Sequence, residues 1–266
     1  MTAGLLAASL FLSSCASLAR YPGVGRIRRY CIESAQVPPA FDGFKVAFAS
    51  DFHYPSKFTA KRLRNAVRAL QSLTPDVLLL GGDYQNGCEN DAPLFDSLGQ
   101  VVTPYGKYAV MGNHDEPCRS EIEEAMQRNH IVLLEHAIDT LHREGESLYV
   151  CGVRNPFDLK KNGLSPSLVL PDSAFVLMLV HAPDYADEVD ISHTDLVLAG
   201  HTHGGQVRFL GLYTPVKHTL YGLLSGLKTT TQGIPIIITN GLGTSRHKIR
   251  FCAPSEVVLV TLKRAK

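Results

Sequence analysis

The chain has 266 residues, 45% of them apolar and 19% charged, and 26 Lys and Arg against 25 Asp and Glu leave a formal net charge of +1. That composition excludes a wholly disordered chain and supplies a core for one large domain or two small ones. The near-neutral balance argues against broad phosphate-backbone binding, so no nucleic-acid partner is expected.

No side chain from Met1 to Ala19 is charged, and Leu5, Leu6, Leu10, Phe11, Leu12 and Leu18 make the run apolar. As a helix it would be roughly 28 Å long, which barely spans a bilayer. Leu12-Ser13-Ser14-Cys15 resembles a bacterial lipobox, the site where Cys15 would become a lipidated N-terminus. A secretory signal normally opens with Lys or Arg, and here the positive charges follow the run, at Arg20, Arg26, Arg28 and Arg29. By the positive-inside rule that order slightly favours a signal anchor with the domain on the cytoplasmic face. A lipoprotein outside is the alternative. Both readings make residues 1–19 a membrane anchor or signal. Residues 20–42, with Pro22, Pro38 and Pro39, read as a connector, and 43–266 as one domain.

From Phe44 onward, strands alternate with helices. Phe44–Ser50 predicts a buried strand, and Thr59–Leu73 a helix with Leu63, Ala66, Val67, Leu70 and Leu73 on one face. Asp76–Gly81, Lys107–Met111, Ala174–Val180, Asp195–Ala199, Ile234–Thr239 and Glu256–Leu262 predict further strands. Continuous apolar strands with helices between them imply an α/β fold whose sheets are covered on both faces. Six cysteines (15, 31, 88, 118, 151 and 252) form no C-x-x-C pair. A zinc ribbon and a thioredoxin motif are excluded, and a disulfide framework is not expected at this Cys density. Cys88 and Cys118 read as small, buried or half-buried side chains.

The chemistry-bearing residues stand directly after the strands. Asp51-Phe52-His53 follows the first, Gly82-Asp83 the second and Gly112-Asn113-His114-Asp115 the third. His181 and Gly200-His201-Thr202-His203 follow two later ones. Strand C-termini are where α/β folds place ligands, and carboxylate, imidazole and amide oxygen together suit Mn, Fe or Zn. In Asp51-x-His53 and in His201-x-His203 the two side chains leave an extended segment on the same side, by the period of two. Asp83 has two oxygens with which to bridge two ions.

The ordered set D-x-H, G-D, G-N-H-D, H and G-H-x-H resembles the calcineurin-like metallophosphoesterases. Gly200–Gln206 and Asn240-Gly241-Leu242-Gly243-Thr244-Ser245 look like that family's membrane-associated bacterial branch, which includes Tat-exported phosphodiesterases. The resemblance covers about residues 40–263. It implies a four-layer α/β/β/α sandwich with two mixed sheets and two divalent ions at one edge. One ion would take Asp51, His53, Asp83 and His203, the other Asp83, Asn113, His181 and His201. His114 would be a general acid or a phosphate-orienting group. The implied reaction is hydrolysis of a phosphodiester or diphosphate by a hydroxide held between the ions. A UDP-2,3-diacylglucosamine diphosphatase of lipid A synthesis is an alternative within enzymes. A metal-binding scaffold without catalysis is the alternative from another class, which the presence of His114 opposes.

Outside the motifs, His130, His136 and His142 with Glu135, Asp139 and Glu144 read as an exposed polar face. His193, His218 and His247 have no motif around them. Between Gln206 and Ile234, Phe209, Leu210, Leu212, Tyr213, Val216, Leu220, Tyr221, Leu223, Leu224 and Leu227 read as a hairpin with a packing loop. The sharper reading makes this segment a flap that meets acyl chains or a bilayer, with a lipid-linked phosphoester as substrate.

Overall fold

The computed structural model describes residues 23–55, 58–88, 92–154, 163–209, 214–215 and 217–265. The expected anchor 1–19, with Cys15, lies outside the described residues, as do Leu210, Leu212, Tyr213 and Val216 of the expected flap. Among the described residues no helix is long and apolar enough to cross a membrane.

Among the described residues, twelve strands form two six-stranded sheets. The first runs β1 (Arg26–Ser34), β12 (Glu256–Arg264), β2 (Lys45–Ala49), β3 (Val77–Leu80), β4 (Lys107–Ala109), β5 (Val132–Leu133). The second runs β10 (Gly226–Thr229), β11 (Pro235–Ile238), β9 (Leu196–Ala199), β8 (Val176–Val180), β7 (Glu146–Gly152), β6 (Ala137–Arg143). Both are mixed. β2 to β5 pair in parallel while β12 meets β2 antiparallel; β7, β8, β9 and β11 are parallel and flanked by antiparallel β6 and β10.

The strands are apolar at successive positions because each sheet is covered on both faces. Val46 and Phe48 of β2 enter the core between the sheets, whereas Ala47 and Ala49 enter the core under the helices. Leu79 and Leu78 of β3 divide in the same way. In the second sheet, Leu177 and Leu179 face inward, and Val176, Met178 and Val180 face outward. The helical layer on the first sheet is α1 (Ala60–Ser72), α2 (Ala92–Gly99) and α3 (Arg119–Arg128), which bury Leu63, Leu70, Phe95 and Ile122. The layer on the second sheet is thin. Its described part is the single turn α4 (Tyr185–Glu188), with Ile191 and Leu223 packed beside it, and a short 3-10 turn, Pro166–Val169, against β6 and β7. The expected four-layer α/β/β/α order holds, with unequal outer layers.

Two expectations are corrected. Residues 20–42 are not wholly a connector, because Arg26–Ser34 is a full edge strand, parallel to β12 from Arg26↔Glu256 to Ser34↔Arg264. Its three arginines hide the strand from a search for apolar runs. Arg26 and Arg28 discharge onto the buried Glu256 carboxylate at 2.6 and 3.6 Å. Val37 and Phe41 beyond it are fully buried, so the domain begins before residue 43. The second correction is Cys88–Cys118, which form a disulfide with Cα atoms 5.0 Å apart. Thirty residues separate them in sequence, and the parallel order of β3 and β4 sets the loops that follow those strands side by side.

Candidate metal centre

Asp51, His53, Asp83, Asn113, His181, His201 and His203 all emerge at the C-terminal edge of β2, β3, β4, β8 and β9. There the two sheets meet. Asp51, His53, Asp83 and His203 form one group whose donor atoms lie within 4.8 Å of one another, and Asp83, His181 and His201 form a second. His53 Nε2 stands 3.0 Å from His203 Nε2 and 3.6 Å from Asp83 Oδ2, and His203 Nε2 is 3.5 Å from Asp51 Oδ1. His181 Nε2 stands 3.2 Å from Asn113 Oδ1, 3.2 Å from His201 Nδ1 and 3.4 Å from Asp83 Oδ1. Asp83 thus turns one oxygen to each group.

The hydrogen bonds behind these groups fix which ring nitrogen faces inward. His181 Nδ1 donates to the Gly81 carbonyl at 2.7 Å, and His53 Nδ1 lies 3.2 Å from Asn86 Oδ1. Each thereby turns its Nε2 to the cluster. Four donor atoms of Asp51, His53, Asp83 and His203 converge within 4.8 Å of one another, a set of carboxylate and imidazole that fits divalent metal. Burial holds His53 neutral, its pKa pushed down to about 4, and does the same to His201, at about 3, and to His203. Neutral imidazole is the ligating form. Burial drives Asp51 up to about 7, whereas His181 outweighs burial at Asp83 and keeps it below the usual carboxylate range; Asp83 in turn outweighs burial at His181 and raises it to about 9.

The backbone reaches this geometry in a different way from the one expected. Asp51 and His53 have φ of 56° and 49°, and His201 and His203 have 67° and 51°, so neither pair lies on extended chain. Alternate residues in the left-handed region bring the two side chains to one side instead. Such conformations cost of order 1–3 kcal/mol each and persist only when the surroundings over-determine them. Here Asp51 N–H donates to Gly82 O at 2.9 Å, His53 N–H to Asp83 O at 3.1 Å, and His201 N–H to the Asp51 carboxylate at 3.0 Å. Gly82, at φ 90°, leaves room that a Cβ would take from Gly112 N at 2.5 Å and His181 Nδ1 at 2.8 Å.

His114 stands apart from both groups. It is solvent-exposed, its N–H donates to Asp83 Oδ1 at 2.9 Å, and its ring lies 5.0 Å from the ring of His53. Three residues without an assigned role support the site. Asp115, fully buried, accepts from the N–H groups of Gly112, Asp83 and Tyr84 at 2.7–2.8 Å, tying two ligand-bearing loops together. Arg250 donates to the carbonyls of His203, Asn240, Gly241, Gly243 and Ala253. His218 packs its ring 5.6 Å from that of His201. Asp115 sits inside the G-N-H-D motif and was legible; no local pattern marks Arg250 or His218. His130, His136 and His142 do not join the centre. His136 Nε2 bonds the Leu164 carbonyl, His142 Nδ1 lies 3.1 Å from Ser147 Oγ, and neighbouring Glu135 pairs with Arg119 and Arg154.

The family model described as calcineurin-like phosphoesterase matches residues 44–205, which include every residue of the two groups. The uncharacterized metallophosphoesterase YkuE of Bacillus subtilis is 27% identical over 99% of this chain and 95% of its own length. The phosphodiesterase YaeI of Escherichia coli is 29% identical over 82% of each chain. Among solved structures, the sulfate thiohydrolase SoxB of Thermus thermophilus is similar in fold at a TM-score of 0.50 and 13% identity, over 85% of this chain and 57% of that one.

Proposed function

The chain belongs to the calcineurin-like phosphoesterase family, and from that premise we propose that it hydrolyses a phosphodiester or diphosphate with two divalent ions at the edge where its sheets meet. The carrying observation is the division of Asp83 between two donor groups, one oxygen toward His53 and the other toward His181. Divalent cations bound there would lower the pKa of water and neutralise phosphoryl charge. The protein's own groups do the remainder. Asp51, His53 and His203 hold one side, and Asn113, His181 and His201 the other. His114 faces solvent beside the cluster, in position to give a proton to the leaving oxygen. Its exposure is what a substrate-facing acid needs and what a scaffold without catalysis does not. The test is hydrolysis of mono-, di- and diphosphate esters by metal-loaded protein, with His114→Ala alongside. Diester or diphosphate turnover that falls about 10²–10⁴-fold in the variant, at unchanged metal content, is expected. Equal turnover in the two proteins would remove His114 from the reaction.

We further propose that the domain is membrane-associated and faces an oxidising compartment. The Cys88–Cys118 bond supports that side, because disulfides persist outside the reducing cytoplasm. The arginines that favour the cytoplasmic side have another use in part, since Arg26 and Arg28 neutralise Glu256 inside the sheet.

A further inference from the structure

We infer that the phosphoester accepted by this site carries a hydrocarbon chain, and that an apolar cavity beside His203 holds the chain; this rests on the hydrolase reading above. The cavity has a volume of about 270 Å³ and is walled by Val207, Phe209, Pro215 and Ile249, with His203 and His218 on the side of the metal centre. His218 in turn packs on His201. The cavity therefore shares His203 with one donor group and adjoins the other through His218, which sets its apolar wall beside the place a phosphoryl group would occupy.

The lining decides what that substituent is. Val207, Phe209, Pro215 and Ile249 offer no side-chain hydrogen bond. Polar side chains stand at its border: Thr202 Oγ1 donates to the Leu224 carbonyl at 2.6 Å, Gln206 accepts from Ser245 N–H at 2.8 Å and donates to the His247 carbonyl at 2.9 Å, and Ser245, Arg246 and His247 complete the lining, but the surface the cavity presents is mostly apolar. A sugar or base laid against that apolar surface would lose more water than the few polar groups at its border could replace. A hydrocarbon chain loses only unfavourable hydration.

Given the membrane association proposed above, a second observation turns this edge toward lipid. The chain enters the domain at the metal-bearing edge. Arg26 pairs with Glu256, and the antiparallel register of β12 with β2 sets Glu256 level with Ser50, one residue before Asp51. The Gly23 carbonyl accepts from Arg62 Nε at 3.0 Å, and Arg62 Nη2 donates to the Leu242 carbonyl at 2.8 Å. Leu242 N–H in turn donates to Ser50 O at 3.0 Å. An anchor in residues 1–19 would thus bring this edge, and not the opposite one, to a bilayer. On the same edge Phe209, Ile249 and Phe251 remain 54%, 63% and 53% exposed.

The experiment uses the full chain and a series of monoalkyl phosphates from butyl to dodecyl, kept below their micellar concentrations. Calorimetric titration reads affinity with and without Mn²⁺, and the matching alkyl phosphodiesters read kcat/KM. Affinity should rise roughly two- to fourfold per added CH₂ until the cavity is full, and kcat/KM should follow. Ile249→Asp should bring the ratio of long-chain to short-chain values close to one. Leu220→Asp, a charge at an exposed leucine outside the cavity, should leave the ratio as it was. Chain-length-independent affinity and turnover in the unmodified protein would overturn this inference and leave the hydrolase reading standing. Failure to hydrolyse any ester with both ions bound would overturn both. A ratio unchanged by Ile249→Asp, in protein of normal metal content, would place the chain elsewhere and reject the cavity.

Discussion

Asp83 is the side chain on which the two donor groups depend together, since its oxygens stand 3.6 and 3.4 Å from His53 Nε2 and His181 Nε2. Asp83→Asn keeps the shape and removes the charge, so elemental analysis should show loss from both positions, with activity lost in parallel. Full metal content in that variant would contradict the bridging role. Arg250 acts from behind. Its guanidinium gathers carbonyls from Asn240 to Ala253 and from His203, and burial pushes its pKa down to about 10. Arg250→Met would strand those carbonyls and should lower stability by about 3 kcal/mol or more, read by urea unfolding. Arg250→Lys should recover only part, because one ammonium cannot fan out to so many acceptors. The contrast between these residues shows how far a sequence can be read. The ligands announce themselves, since chemistry demands Asp, Asn and His and the turns place them directly after apolar strands. Arg250 lies far along the chain from His203 and is joined to it only by folding, so nothing local records its role.

At the level of strands and loops, the apolar runs gave nearly correct elements; Thr59–Leu73, for example, became Ala60–Ser72 with Leu63 and Leu70 buried as expected. What escaped were β1, whose arginines mask its period, β5, β6 and β7 with the helices α2 and α3, which no continuous apolar run marks, and the disulfide, which depends on the neighbouring placement of two loops. That bond joins the loop after Asp83 to the loop after His114. Closing a loop of this size stabilises by about 3–4 kcal/mol in the chain-entropy account. Reduction, or Cys118→Ser, should therefore lower Tm and weaken metal binding together, checked by calorimetry and by competition with a chelator. Unchanged metal affinity after reduction would show the loops need no clamp. Asp195, between α4 and β9, gives a pH-dependent case. Its carboxylate accepts from Val176 N–H at 2.8 Å, yet burial pushes its pKa up to about 6. At pH 7 it is ionised both folded and unfolded, and the buried charge costs stability. As pH falls through 6 the folded form takes up a proton before the unfolded chain does, and the cost disappears by the unfolded value near 4. Asp195→Asn should thus raise stability by about 1–2 kcal/mol at pH 7, with the gain shrinking toward pH 4. An equal gain at both pH values would mean that the charge is not its source.

For the molecule as a whole, the proposed membrane association and the disulfide together make a prediction about the side on which the domain lies. Protease added to intact spheroplasts should digest the domain, and thiol labelling should find Cys88 and Cys118 blocked until reduced. Protection of the domain together with free thiols would put it inside. The sheet order carries one more consequence, for the time before the protein is finished. β1 is made first, but its neighbour in the sheet, β12, is made last, and β12 also separates β1 from β2. More than two hundred residues must emerge between Ser34 and Glu256 before the first strand meets its partner. At ribosomal speed that wait is on the order of ten seconds or more. Throughout it, β1 presents an unpaired edge of the kind that captures other chains. Arg26, Arg28 and Arg29 keep that edge charged while it stands alone. When Glu256 arrives, it neutralises two of the three as the strand is paired. The same arginines that conceal the strand from a search for apolar runs guard it from wrong partners until synthesis is complete.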